Sequence, residues 1–155
     1  LLSDTFKKCD QQGVQALNQS AYVLNKPDVS DKDIALLFNR TYKVLNSLHK
    51  AGSEYAACDT PLLYCLGVGY DVRSEAAENG GRADLTFEMP GRRLVIEMKC
   101  ARAGESPEKK LEEAKEQILK HDYGNYMPIK EIRRFAMVFS VPEQKIVLTE
   151  EVASV

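Results

Sequence analysis

The sequence lacks any apolar run that approaches the roughly 20 residues of a membrane-spanning helix, and it shows no signal peptide. It also lacks a C-x-x-C pair, because its cysteines lie far apart, at Cys9, Cys58, Cys65 and Cys100. Widely spaced cysteines argue against a zinc knuckle and fit a reducing compartment. We therefore expect no membrane association and a cytoplasmic location.

A strong charge of either sign is absent as well. The chain of 155 residues has 21 Lys and Arg against 23 Asp and Glu, a formal net charge of -2. No basic field therefore covers the molecule, and any binding to nucleic acid would need a local patch. The length suits one domain that buries a core of its own, without disulfides or metals as supports.

The first half of the chain is predicted to be helical. Apolar residues recur at helical spacing in residues 14–24 and 34–48, and Ser30 and Asp33 have the spacing of a capping box. A third helix is predicted over residues 54–67, but it contains Pro61. Proline suits a first turn or a kink, so this helix is expected either to begin at Thr60 or to bend there.

The second half changes to extended patterns. Residues 68–76, 82–89 and 93–101 read as strands, and the turn signals between them predict three consecutive antiparallel strands. A helix over residues 108–121 and two further strands, over 133–141 and 145–152, complete the pattern. This order predicts an α+β fold, an α/β sandwich in which helices flank a central mixed sheet.

The strand "RLVIEMKCA" contains an acid and an amine two residues apart, Glu97 and Lys99, which must point to the same face. Asp84 lies in the preceding strand, where Asp is disfavoured. A hairpin through "PGR" would bring the three side chains together. Two repelling carboxylates favour Mg²⁺, with the Met98 backbone carbonyl as a further ligand, and a lysine can stabilise charge on a phosphate. The alternative is a surface ion pair on an edge strand.

An acid in one strand of a hairpin and E-x-K in the next resembles the PD-(D/E)xK nuclease superfamily, with Ala83 in place of the proline. The pattern also resembles a branch found at the C-terminus of proteins with an AAA-ATPase-like domain. There, a G-R-x-D-L strand precedes the E-x-K strand, a helix carries Gln, a Tyr follows, and a later strand ends in Phe-Ser. The matching stretch covers roughly residues 54–145.

The resemblance implies a restriction-endonuclease-like core that hydrolyses DNA phosphodiester bonds with Mg²⁺, which Mn²⁺ can replace. It implies metal-binding acids at Asp84 and Glu97, a catalytic lysine at Lys99 and an active-site glutamine at Gln117. It further implies a third acid in the helix before the strands, which we assign to Glu54, with Glu75 and Glu78 as alternatives. Contacts with nucleic acid are expected at two more residues, Arg82 and Tyr123.

The resemblance also implies a domain organisation. We expect a nuclease-like domain over residues 53–155 and a helical segment over residues 1–52 that links or docks it to an upstream ATPase-like domain. An alternative function is a catalytically inactive module of the same fold that binds nucleic acid or a protein partner for such an ATPase. We rank the nuclease first, because a degenerate site usually loses one of its two acids and its lysine, whereas this sequence has all three, Asp84, Glu97 and Lys99.

Overall fold

The computed structural model describes residues 11–45, 50–78, 81–121 and 131–153, with the backbone alone at residues 75–78 and 81–83. Its helices are α1 (Gln11–Gln19), α2 (Asp31–Leu45), α3 (Glu54–Gly67) and α4 (Pro107–His121), with a short 3-10 helix at Val23–Asn25. Its strands are β1 (Asp71–Glu78), β2 (Gly81–Met89), β3 (Arg92–Ala101), β4 (Glu131–Ser140) and β5 (Lys145–Val152). No helix in these ranges is long and apolar enough to cross a membrane.

The strands form one mixed sheet in the order β1-β2-β3-β4-β5. Neighbours are antiparallel except β3 and β4, which run parallel. Parallel neighbours need a crossover, and α4 supplies it between β3 and β4. The predicted α+β fold class is confirmed, and the three consecutive antiparallel strands are the first three strands of the sheet.

Helices cover both faces of the sheet. Helix α4 packs on one face through Ala114 and Ile118, which contact a small cluster that includes Val95 and Ala136. The other face packs against the remaining helices in a larger cluster that contains Leu37, Phe38, Phe87, Ile96 and Phe135, among others. Because alternate residues of a strand point to opposite faces, β3 is buried on both sides at the centre of the sheet.

The first helices share this larger cluster with the sheet. Leu17 and Leu24 belong to it, as do Ile34 and Val44 of α2. Helix α2 begins with the predicted capping box, which is confirmed: Ser30 N–H donates to Asp33 Oδ2 at 3.0 Å, and Asp33 N–H donates to Ser30 Oγ at 3.1 Å. The boundary at residue 52 stays a prediction, but part of the segment before it packs directly on the sheet.

Helix α3 begins at Glu54, so the predicted alternative of a start at Thr60 is wrong. Ser53 caps the helix, because its Oγ accepts a hydrogen bond from the Ala56 backbone N–H at 3.2 Å. The helix then continues through Pro61. Seven helical residues therefore precede the proline, and they place Glu54 at the N-terminus of the helix.

A buried tyrosine explains how the helix passes the proline. Pro61 has no N–H, so the carbonyl of Ala57, four residues earlier, loses its partner within the helix. The Tyr42 hydroxyl donates to this carbonyl oxygen at 2.6 Å. Tyr42 is only 1% exposed, so water has little access to this group. A side chain of α2 thus replaces the hydrogen bond that the sequence of α3 removes.

Candidate active site

The site lies where β2 and β3 stop pairing. Their paired stretch ends at Leu85 and Ile96, although β2 continues alongside β1 to Gly81. Asp84 and Glu97 are the next residues beyond that last pair. The Asp84 carboxylate lies against the backbone of β3, because its Oδ2 accepts a hydrogen bond from the Met98 N–H at 2.6 Å. Asp84 is therefore positioned beside the E-x-K segment, as the hairpin pattern predicted.

Glu97 is a buried acid. Its residue is 1% exposed, and its Oε2 has no hydrogen-bond partner within the described ranges. Burial, followed by the charge of Asp84, raises the pKa of Glu97 to about 8, and Glu54 adds to this effect while Lys99 opposes it. The hypothesis of a surface ion pair on an edge strand is wrong, because β3 is central and Glu97 is buried.

Lys99 is held from two sides. Its Nζ lies 3.5 Å from Glu97 Oε1 and donates a hydrogen bond to Gln117 Oε1 at 2.7 Å. Gln117 comes from α4, so this contact depends on the crossover helix that covers the sheet. The Lys99 side chain is 19% exposed, so the ammonium is fixed in position but still reaches solvent. The resemblance implied an active-site glutamine at Gln117, and the structure brings this side chain to Lys99.

Glu54 approaches Asp84 and the end of β3 from the face of the sheet opposite α4. Its Oε1 accepts a hydrogen bond from the Cys100 N–H at 3.4 Å. Glu54 and Asp84 line one small cavity of about 90 Å³. The role of Glu54 as a third acid stays a prediction, as do the roles of Glu75 and Glu78, whose side chains lie outside the described part of the structure.

Sequence reasoning missed three further residues that line this cavity, Tyr55, Cys58 and Ser74. Cys58 follows Glu54 by four residues in α3, one helical turn, so the spacing could have revealed it. Burial raises the pKa of the Cys58 thiol, so it is protonated and a poor metal ligand. Two predicted contacts with nucleic acid cannot be placed: the Arg82 side chain and Tyr123 lie outside the described residues.

The acids at this site fit a hard cation that keeps much of its own water. No group of three or more His, Cys, Asp or Glu is placed to hold a metal ion within the part of the chain that the structure describes. Mg²⁺, however, is usually bound through one or two carboxylates together with several waters. Asp84 and Glu97 supply two carboxylates, and the unpartnered Glu97 Oε2 is a buried oxygen that a cation would satisfy.

Two comparisons bear on this site. A family model described as the PD-(D/E)XK nuclease superfamily matches residues 56–150. The matched region contains Asp84, Glu97, Lys99 and Gln117, and it begins two residues after Glu54. A search of curated proteins found no significant match.

Proposed function

Because the chain belongs to the PD-(D/E)XK nuclease superfamily, whose members generally hydrolyse phosphodiester bonds, we propose that it is a Mg²⁺-dependent deoxyribonuclease. The observation that carries the proposal is the surroundings of Glu97. A buried carboxylate with an unpartnered oxygen lies next to a second acid, Asp84, and to an ammonium held by Gln117. A sheet that needed only stability has no reason to bury this combination of charges.

Asp84, Glu97 and the Met98 carbonyl would hold the cation, and Glu54 would act through a water molecule. A bound Mg²⁺ would make a water molecule easier to deprotonate and would neutralise charge on the phosphate, and Mn²⁺ can supply the same chemistry. Lys99 would donate a hydrogen bond to a phosphate oxygen as negative charge develops there. Gln117 would keep the Lys99 ammonium in place while Glu97 is occupied.

The test is cleavage of DNA by the wild-type chain and by Lys99→Ala. We expect the substitution to lower the rate by about 10²–10³-fold, the usual loss when one preorganised electrostatic group is removed. Lys120→Ala is the matched control, since Lys120 is an exposed lysine on α4, the helix that carries Gln117. Circular dichroism must show all three proteins folded. Equal rates for wild type and Lys99→Ala would identify the activity as a contaminant.

A second candidate is a catalytically inactive module of the same fold, and one observation favours it. The Asp84 carboxylate already accepts a hydrogen bond from the Met98 N–H at 2.6 Å, so binding a cation would compete with an existing contact. Such a module would bind nucleic acid or a protein partner for an upstream ATPase domain, without cutting. DNA binding by the wild type with no cleavage in Mg²⁺ or Mn²⁺ would select this alternative.

We further propose that the chain follows an ATPase-like domain in a longer cytoplasmic protein, with residues 1–52 joining it to the nuclease-like residues 53–155. The support is the resemblance of the "GRADL" strand, the E-x-K strand and the Gln helix to that branch of the superfamily. Arg82 and Tyr123 would contact the DNA. The reading frame upstream of the codon for Leu1 tests the first point: a start codon directly before it would refute the fused arrangement.

A further inference from the structure

A surface depression of about 420 Å³ lies between the end of α2, the segment before α3 and the turn between β4 and β5. Three exposed lysines line it: Lys43 of α2, Lys50 before α3 and Lys145 at the start of β5. We propose that this depression binds the phosphate backbone of DNA on one side of the candidate active site. The proposal rests on the proposed function, because it assigns the contacts that hold the substrate of that site.

Side-chain hydrogen bonds to the backbone fix the three parts relative to each other. Asn39 of α2 and Ile146 of β5 exchange two hydrogen bonds, of 3.1 and 2.7 Å. Gln144 and the Ala51 backbone exchange two more, of 2.8 and 2.7 Å. Lys43 lies one helical turn beyond Asn39, and the other two lysines are chain neighbours of these bonded residues. The lysine backbones are therefore held in place before any ligand binds.

The charge of the depression is positive, because three lysines and one acid, Glu143, line it. Neither Lys43 nor Lys50 has an ion-pair partner among the residues that the structure describes. Lys145 Nζ lies 3.9 Å from Glu143 Oε1, but both side chains are more than half exposed, so solvent screens this pair. By contrast, Lys110 and Lys115 of α4 each contact two acids. The depression thus offers cations that are available to an external anion.

The depression lies at the same end of the sheet as the candidate active site. Ala101, two residues beyond Lys99, pairs with Ser140, which in turn pairs with Lys145. Two strand spacings correspond to about 10 Å. Along one strand of a DNA duplex, that distance spans about three nucleotides. Lys99 lies on the α4 side of the sheet and the depression on the α2 side, so a duplex that passed over this end of the sheet could bring its scissile phosphate to Lys99 and neighbouring phosphates to the depression.

The chain itself leads from the depression to the site. Lys50 precedes Glu54 by four residues, and the Glu54 carboxylate contacts the Cys100 N–H.

An acidic protein would be the other ligand of suitable charge. Protein interfaces rely on apolar or aromatic anchors at their centre, whereas the aromatic residue here, Tyr42, is 1% exposed. A polyanion with regularly spaced charges therefore fits the depression better than a folded partner.

The test measures binding of a fluorescently labelled DNA duplex by fluorescence anisotropy. EDTA is present so that no cleavage occurs. The variant replaces all three lysines of the depression by alanine. Its matched control replaces three other exposed lysines, Lys26, Lys32 and Lys120. Lys26 and Lys32 lie near the beginning of α2, with Lys32 about 16 Å along the helix from Lys43, and the change in net charge is the same.

We expect the depression variant to bind at least about tenfold more weakly at moderate salt. We also expect its slope of log affinity against log salt to fall by about 0.9 for each phosphate that the variant no longer neutralises. The control should bind almost as well as the wild type, and a variant with arginine at the three positions should retain both affinity and slope. Equal affinities and slopes for the depression variant and the control would overturn the proposal, even if the protein cleaves DNA. If the wild type binds DNA without cutting it and the depression variant does not bind, this proposal stands while the nuclease proposal fails.

Discussion

Replacing Glu97 by glutamine should stabilise the metal-free protein at pH 8 and destabilise it at pH 5. In the metal-free state, burial and the charge of Asp84 raise the pKa of Glu97 to about 8 from its ordinary value of 4.5. Between pH 4.5 and about pH 8, Glu97 of the folded protein keeps a proton that the unfolded chain has lost. The free energy of unfolding of the wild type therefore falls as the pH rises from about 5 to 8.

The pKa shift sets the size of this effect. At about 1.36 kcal/mol for each pH unit, the loss between pH 4.5 and 8 is on the order of 4 kcal/mol. Glutamine does not ionise, so the variant does not suffer this loss. Its amide nitrogen, placed where Oε2 now has no partner, would cost roughly 1–3 kcal/mol at every pH. The two stability curves should therefore cross.

The measurement is urea denaturation in EDTA at several values between pH 5 and 8. Glu116→Gln is the control, because Glu116 is an exposed acid of α4 and its curve should run parallel to that of the wild type. Added Mg²⁺ should stabilise the wild type more than Glu97→Gln, since the variant loses one of the two carboxylates that would hold the cation. A difference between Glu97→Gln and wild type that stays constant across this pH range would refute the reasoning on Glu97.

Two further substitutions test contacts on either side of the sheet. Tyr42→Phe should lower the free energy of unfolding, measured by denaturation, by about 1–3 kcal/mol, because the buried Ala57 carbonyl loses its donor. In a Pro61→Ala background, residue 61 regains its N–H, so the same substitution should cause a smaller loss. Equal losses in the two backgrounds would contradict this account. Gln117→Ala should lower the rate of DNA cleavage less than Lys99→Ala does, since Lys99 remains beside Glu97. Single-turnover kinetics would measure both rates. A loss as large as that of Lys99→Ala would contradict a supporting role for Gln117.

Local patterns were sufficient to predict the strands along the chain and the antiparallel pairing of the first three. Turn signals and alternating residues predicted the hairpin of β2 and β3, and the structure has that hairpin with Asp84 beside the E-x-K segment. The start of α3 was harder, because the rule for Pro61 considers only the helix that contains it. The carbonyl that the proline leaves unpaired is satisfied by Tyr42, a residue of another helix. A contact across 15 residues of sequence is not visible in a local pattern.

The same limit applies to the candidate site, and there it decides the chemistry. Spacing placed Glu97 and Lys99 on one face of a strand, which is equally true of a solvated ion pair. The two cases differ in whether other elements of the fold pack over that face of the strand. Helix α4 packs over β3 and supplies Gln117 to Lys99, while β4 places β3 inside the sheet. Burial raises the pKa of Glu97 and so makes the metal-free site costly. A cation that relieved this cost would contribute to folding as well as to catalysis, and both contributions depend on the crossover helix.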